Sequence, residues 1–216
     1  MPATSPAAAS EPSRRRELVA TAKRLFLERG FSQTSVSAIV REAGVAQGTF
    51  YLYFKSKQAL LPYLRAEVLG HYLSAFEEST QDRAARADAR LIAGVTRIHA
   101  IMREQVPLIR VLREATSSEE IEQIWLEGRE TLSRPLAELI AIGRQDGSFV
   151  VDDHRMAAHL ALALLDDLLF ESLVWQRPAP PEQTLWHATR FLLRALGCTA
   201  ARVDALVPPL REEPRK

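Results

Sequence analysis

The run GVAQGTFYLYFKSKQALL, from Gly44 to Leu61, constrains this chain more than any other stretch. Ahead of it, Val36, Ile39, Val40 and Ala43 recur at i, i+3, i+4 and i+7, the pattern of an amphipathic helix with Thr34 or Ser35 as its N-cap. Gly44 stops that helix, because glycine adopts the left-handed backbone of a tight inter-helix turn at little cost. A second short helix is expected to start near Ala46, burying Phe50 and Phe54 and leaving Gln47, Thr49, Tyr51 and Tyr53 on its other sides. Two helices so joined, with polar and aromatic groups outward, make a helix-turn-helix.

The flanks extend this pattern. An opening helix from Ser13 or Arg14, RRELVATAKRLFLERGF, buries Leu18, Ala22, Leu25 and Phe26 and closes at Arg29 and Gly30, and KSKQALL opens a fourth helix expected from Ser56 to about Gln81. With GFSQTSVSAIVREAGVAQGTFYLYF between them, in order and without insertion, Arg14 to Leu64 resembles the N-terminal domain of the tetracycline-repressor (TetR) family of ligand-controlled transcription regulators. The resemblance implies an all-α fold: an N-terminal three-helix helix-turn-helix DNA-binding domain, joined by a long helix to a helical ligand-binding and dimerisation domain. The expected divisions are a disordered arm at 1–13, the DNA-binding domain at 14–61, the effector-binding and dimerisation domain at 62–198, and a C-terminal tail at 199–216. A competing reading makes every Tyr and Phe of the motif ordinary core, but Tyr51 and Tyr53 do not both fall on the face defined by Phe50 and Phe54.

Charge is divided between the two ends. Residues 1–57 carry nine Lys/Arg against four Asp/Glu, and the rest nineteen against twenty-three, so an electrostatic footprint for a polyanion is confined to one end of a chain of net charge +1. The single cysteine, Cys198, excludes an intrachain disulfide framework and argues for the cytoplasm. Met1 to Ser13 lacks the apolar core of a signal peptide, and the longest apolar stretch, Met156 to Leu165, runs into Asp166 and Asp167, too short for a membrane span.

Beyond the motif, helices are expected near 84–105, 107–115, 118–145, 153–176 and 181–196, with Pro107, Asp146-Gly147 and RPAPPE at 177–182 marking boundaries and Pro135 a kink or break. Helix 153–176 is apolar on nearly every side and so must be covered on both faces. Leu164, Leu168 and Trp175 on it, with Leu185, Phe191 and Leu192 on the next helix, are the candidate dimer interface. In the family the resemblance points to, the corresponding pair builds a four-helix bundle with its symmetry mate.

For double-stranded operator DNA, the candidate contacts are Thr34, Arg41, Gln47, Gly48, Thr49, Tyr51, Tyr53, Lys55 and Lys57. The lysines and hydroxyls suit phosphates, and the resemblance puts Tyr51 and Lys57 where the family grips the backbone. The Gln47 amide suits an adenine edge, with Gly48 allowing close approach. Arg14, Arg15 and Arg16 read either as a solvated helix end or as a phosphate-contacting arm, and Arg41 either as a surface residue or as a contact.

A small-molecule effector would sit among the body helices, with Tyr72, Phe76, His99, Met102, Trp125, Arg129, Leu132 and Phe170 as candidate lining; each apolar one reads more readily as ordinary core. Adjacent Asp166 and Asp167 must find partners such as Arg129 or Arg190, face water, or touch a ligand. No phosphate loop, paired metal ligands or nucleophile elbow occurs, so neither catalysis nor a cofactor is expected. The reading is a homodimeric regulator, a repressor released from its operator by a small, largely apolar effector, with no membrane partner. The alternatives are control through Cys198 as a redox switch and DNA binding with no effector.

Overall fold

The computed structural model describes residues 11–115, 118–175, 177 and 180–209, and among these all regular structure is helical, with no strand. The side chains of Trp125, Asp166, Asp167, Phe170 and Trp175 lie outside the described set. The helices are α1 (Glu11–Arg29), α2 (Val36–Glu42), α3 (Gln47–Tyr53), a 3-10 turn (Gln58–Leu60), α4 (Leu61–Ser79), α5 (Ala87–Ala115), α6 (Ser118–Gln145), α7 (His154–Trp175), α8 (Pro181–Ala195) and α9 (Ala200–Leu206).

Two compact units divide the chain. The first holds α1 to α3, the start of α4 as far as Val68, and the residues from Pro107 that end α5 and begin α6. Its core follows from spacing: Leu18, Ala22, Leu25 and Phe26 line one stripe of α1 and are wholly buried, each large one contributing about 1.5–3 kcal/mol over its exposed state. Phe31 packs tilted against Phe26 with ring centroids 5.0 Å apart, and Phe50, Phe54 and Tyr63 form a second aromatic chain in steps of 5.5 Å. Ser35, not Thr34, caps α2 by accepting a hydrogen bond from the Ala38 N–H. Gly44 turns the chain with φ of 65°, where a side chain would be strained, and lets the Val45 N–H reach the Val40 carbonyl.

Prolines account for most departures from the expected elements. The fourth helix does not run through from Ser56. Inside such a helix Pro62 would leave the Gln58 carbonyl unbonded and clash with it, so the chain makes a 3-10 turn and restarts at Leu61, with Pro62 in the first turn where its missing N–H is harmless. Pro107 and Pro135, by contrast, lie inside continuous α5 and α6. Pro107 nevertheless falls where the two compact units meet along the chain.

The second unit takes 69–106 and the chain from Glu122 onward, with α7 packed on α8 and α8 on α9. Asp146 fastens the N-terminus of α5, accepting from the Ala87 N–H at 2.9 Å and from the Ser148 N–H at 2.7 Å. The expected C-terminal tail contains α9: Thr199 caps it, Val203 is fully buried, and Arg202 forms a two-pronged ion pair with buried Asp88 at 2.7 and 3.0 Å. At the other end α1 already begins at Glu11, inside the expected arm.

Candidate nucleic-acid interface

Phe50, fully buried, anchors α3, and successive residues turn about 100° around the axis, so the side away from the anchor is set by counting. Gly48, Tyr51 and Leu52, about 100–200° around the helix from Phe50, form an exposed stripe on that side; Gln47, about 60° from the anchor in the first turn, is exposed as well, and Thr49 and Tyr53 on the opposite flank are half-buried. No atom lies within 4 Å of where a side chain on Gly48 would begin, so the backbone is open to close approach. Arg41 and Lys55 flank the stripe from α2 and from the turn after α3, both exposed.

Two of the nine candidate contacts face differently from expectation. Thr34 is buried, its hydroxyl donating to the Gly30 carbonyl at 2.8 Å and the Leu25 carbonyl at 3.3 Å, so it holds the α1–α2 loop and does not present its oxygen outward. Lys57 donates to the Phe31 carbonyl at 2.6 Å and the Thr34 carbonyl at 2.8 Å and lies 4.2 Å from the Phe31 ring centre. Two of its three ammonium donors are therefore committed to the loop and one is left for a phosphate. Burial pulls the Lys57 ammonium below its usual value, partly offset by the charge of Glu114. Glu114, near the end of α5, accepts from the Ser32 N–H at 3.3 Å, and its hydrogen bonds to the Ser32 hydroxyl and backbone hold its carboxyl below the usual range.

Two further contacts tie the helices of this unit together. The Arg15 guanidinium lies 5.9 Å over the Tyr53 ring, which brings the basic start of α1 to the C-terminal end of α3. Arg24 bridges to Glu28 and, across helices, to Glu42 at 2.6 Å, joining α1 to α2. Sequence reasoning passed over Leu52, because an apolar residue in a helix reads as core until its angle from the anchor is counted.

In the second unit, Phe76, His99, Met102 and Leu132 are buried, and Tyr72 and Arg129 half-buried. Phe76 packs so closely on Gly94 that a Cβ there would meet its ring at 2.7 Å, the contact of an interlocked core. The His99 imidazole is held below its ordinary pKa by burial and then by Arg103, and its Nε2 has no hydrogen-bond partner among the described residues. A groove between α4 and α5 is lined by His71, Ser74, Glu78, Arg97, Ile101 and Glu104, none of them among the eight candidates.

The apolar surface lies elsewhere. Val150, Met156, Leu160 and Phe191 are each more than half exposed and border a groove of about 540 Å³ along α7 and α8 that also includes Leu164 and Leu192. Of the other candidates for the dimer interface, Leu168 and Leu185 are half-buried, and Leu192 is itself buried in the subunit's own core. Arg190 pairs with Asp204, while the side chains of Asp166 and Asp167, the partners expected for it, lie outside the described set. Cys198 is buried and donates to the Ser148 carbonyl at 3.3 Å; burial first, and Asp88 second, push its thiol up to about 11, which disfavours the reactive thiolate.

Comparison with known proteins matches residues 18–64 to the family model of bacterial regulatory proteins of the tetR family. Residues 18–64, from within α1 to the start of α4, therefore resemble the N-terminal domain of that family. A fatty acid metabolism regulator protein of Bacillus subtilis is 38% identical over 68 residues, which is 32% of this chain and 35% of that one, so the chain spans only about a third of that relative's length. The HTH-type transcriptional repressor KstR2 of Mycolicibacterium smegmatis is 24% identical over 87% of this chain and 92% of that one. Among solved structures, the transcriptional regulator FadR of Bacillus subtilis in complex with stearoyl-CoA superposes with a TM-score of 0.64 at 24% identity, covering 82% of this chain and 97% of that one, and so shares the fold. No helix among the described residues is long and apolar enough to cross a membrane.

Proposed function

We propose that this chain is a homodimeric transcription regulator without catalytic activity. It binds operator DNA through α3 and acts as a repressor released by a small, largely apolar effector. The observation that carries the reading is the exposed stripe of α3, anchored on buried Phe50 and flanked by Arg41 and Lys55 in a segment with excess positive charge. Gln47 is the residue for a base edge; Tyr51, Tyr53, Thr49 and Lys55 serve the phosphates, with Arg15 beside Tyr53. Lys57 acts mainly as the clamp of the α1–α2 loop and offers one remaining donor.

The exposed apolar groove of α7 and α8 supports self-association, since a contiguous apolar surface on a soluble chain calls for a cover. Long-chain acyl thioesters are the first effector class to test, because a fatty acid metabolism regulator and a stearoyl-CoA complex stand among the similar proteins. Buried Cys198 speaks against redox control.

The test is a titration of stearoyl-CoA into the protein bound to a fluorescent duplex of its own upstream DNA, with a parallel thermal melt. Release of the duplex together with a raised melting temperature of the DNA-free protein is the expected result. Tight DNA binding that no acyl chain length perturbs would move the effector to another chemical class, and no DNA binding at all would end the regulator reading.

A further inference from the structure

The most exposed large apolar side chain among the described residues is not on the apolar groove of the second unit. It is Leu52, 81% exposed, on α3. Two residues beyond Phe50, it projects about 200° around the helix from that buried anchor, which puts it at the crown of the outward face. Gly48, one turn earlier on the same face, has no side chain to overhang it, and half-buried Thr49, three residues earlier, flanks it. A helix docked by this face would carry Leu52 deepest into whatever it meets.

We infer that Leu52 reads a thymine, its isopropyl group packing on the C5-methyl in the major groove; this rests on the DNA-binding reading above and deepens it. The chemistry selects the occupant. Base edges in the major groove present hydrogen-bonding groups with one apolar exception, the methyl of thymine, so an aliphatic side chain at the crown of a reading helix has one partner there. The surroundings select DNA over a second protein, because Arg41 and Lys55 border the stripe and nine Lys/Arg face four Asp/Glu within residues 1–57. Gln47 and Leu52 would then divide the work, the amide pairing with a base edge and the isopropyl reading a methyl. The half-site so read contains at least one thymine whose methyl matters.

The probe is a duplex selected from a random pool by the wild-type protein, in which each thymine is then replaced singly by uracil, removing the methyl and nothing else from the groove. At one thymine per half-site the replacement is expected to weaken wild-type binding about fourfold, the worth of one methyl taken out of water. Leu52→Ala should lose a similar factor on the unmodified duplex and show no further loss with uracil at that position, while Leu52→Met keeps its sensitivity. Because the side chain is exposed, the circular dichroism and melting temperature of both variants should match the wild type. A flat uracil scan with the wild type, or a Leu52→Ala variant that still loses affinity at the same uracil, would overturn the assignment while leaving the regulator reading intact. Unchanged DNA affinity with altered self-association in Leu52→Ala would overturn it in favour of a protein contact. A wild type that enriches no sequence from the pool removes the regulator reading and this one with it.

Discussion

The two compact units expose different things. In the first, Leu18, Leu25, Phe26, Ile39 and Phe50 are wholly buried, and the exposed residues of α3 are an amide, a glycine, a phenol and a single leucine. In the second, α7 and α8 leave Val150, Met156, Leu160 and Phe191 uncovered along one groove. A surface that is polar around a buried anchor suits a partner with hydrogen-bonding edges and charge, whereas a surface that stays greasy after its own core is filled suits another copy of itself. Under the proposed function, the contrast assigns DNA to the first unit and a second copy to the second.

The largest test of that contrast is a charge on the greasy side. Leu160→Glu should dissociate the assembly outright, raising the dimer dissociation constant at least a hundredfold on the order of the cost of burying an unpaired charge. Since Leu160 is 61% exposed in the subunit, the monomer should remain folded. Sedimentation velocity with circular dichroism would check both, and an unaltered dimer would place self-association elsewhere.

A smaller effect is expected inside the second unit. Arg202→Ala leaves the Asp88 carboxylate buried without its partner and should cost about 2 kcal/mol in urea unfolding, less than a fully buried pair because Arg202 is 40% exposed. Burial alone raises the Asp88 carboxyl, but hydrogen bonds from Arg202 and the Ala89 N–H, with the charges of Arg202 and Arg86, outweigh it and hold the group below the usual range. A carboxyl lowered on folding stabilises above its unfolded value of about 3.9 and loses that contribution as pH falls through the folded one. The gap between wild type and variant should accordingly be full at neutral pH and close below about pH 4. DNA affinity of the surviving dimer should be unaltered, which keeps the two units distinct.

The smallest effect separates two lysines of the first unit. Lys55→Ala should flatten the logarithmic salt dependence of DNA binding by about 0.9, one phosphate's worth, with no change in stability. Lys57→Ala breaks the clamp on the Phe31 and Thr34 carbonyls, so it should lower the melting temperature and weaken DNA binding with a smaller change in salt slope. Equal salt slopes and equal melting temperatures for the two variants would erase the distinction between contact and clamp.

How much was legible followed the range of the interactions. The all-helical class, the buried stripe of α1, the Gly44 turn and the Phe50 anchor are local, set by residues within a turn or two of one another, and they can be read by periodicity. Pro62 was equally local and its consequence, a 3-10 turn and a restart at Leu61, follows from steric rules that apply at every helix interior. Tertiary contacts decided the rest. Arg202 of α9 finds Asp88 far away in sequence, and Lys57 turns inward because two loop carbonyls lie within its reach. The effector candidates were the least legible: burial makes Phe76 or Met102 look alike whether it faces a ligand or only its neighbours.

The central claim is that α3 reads DNA from a two-fold assembly, and selection from a random duplex pool by the wild type and by Gln47→Ala tests it most directly. The account predicts a wild-type consensus of two inverted half-sites, with Gln47→Ala keeping the same spacing but losing about 1–3 kcal/mol of preference at one position in each half. A wild type that enriches no consensus, or a Gln47→Ala consensus identical at every position, would contradict it.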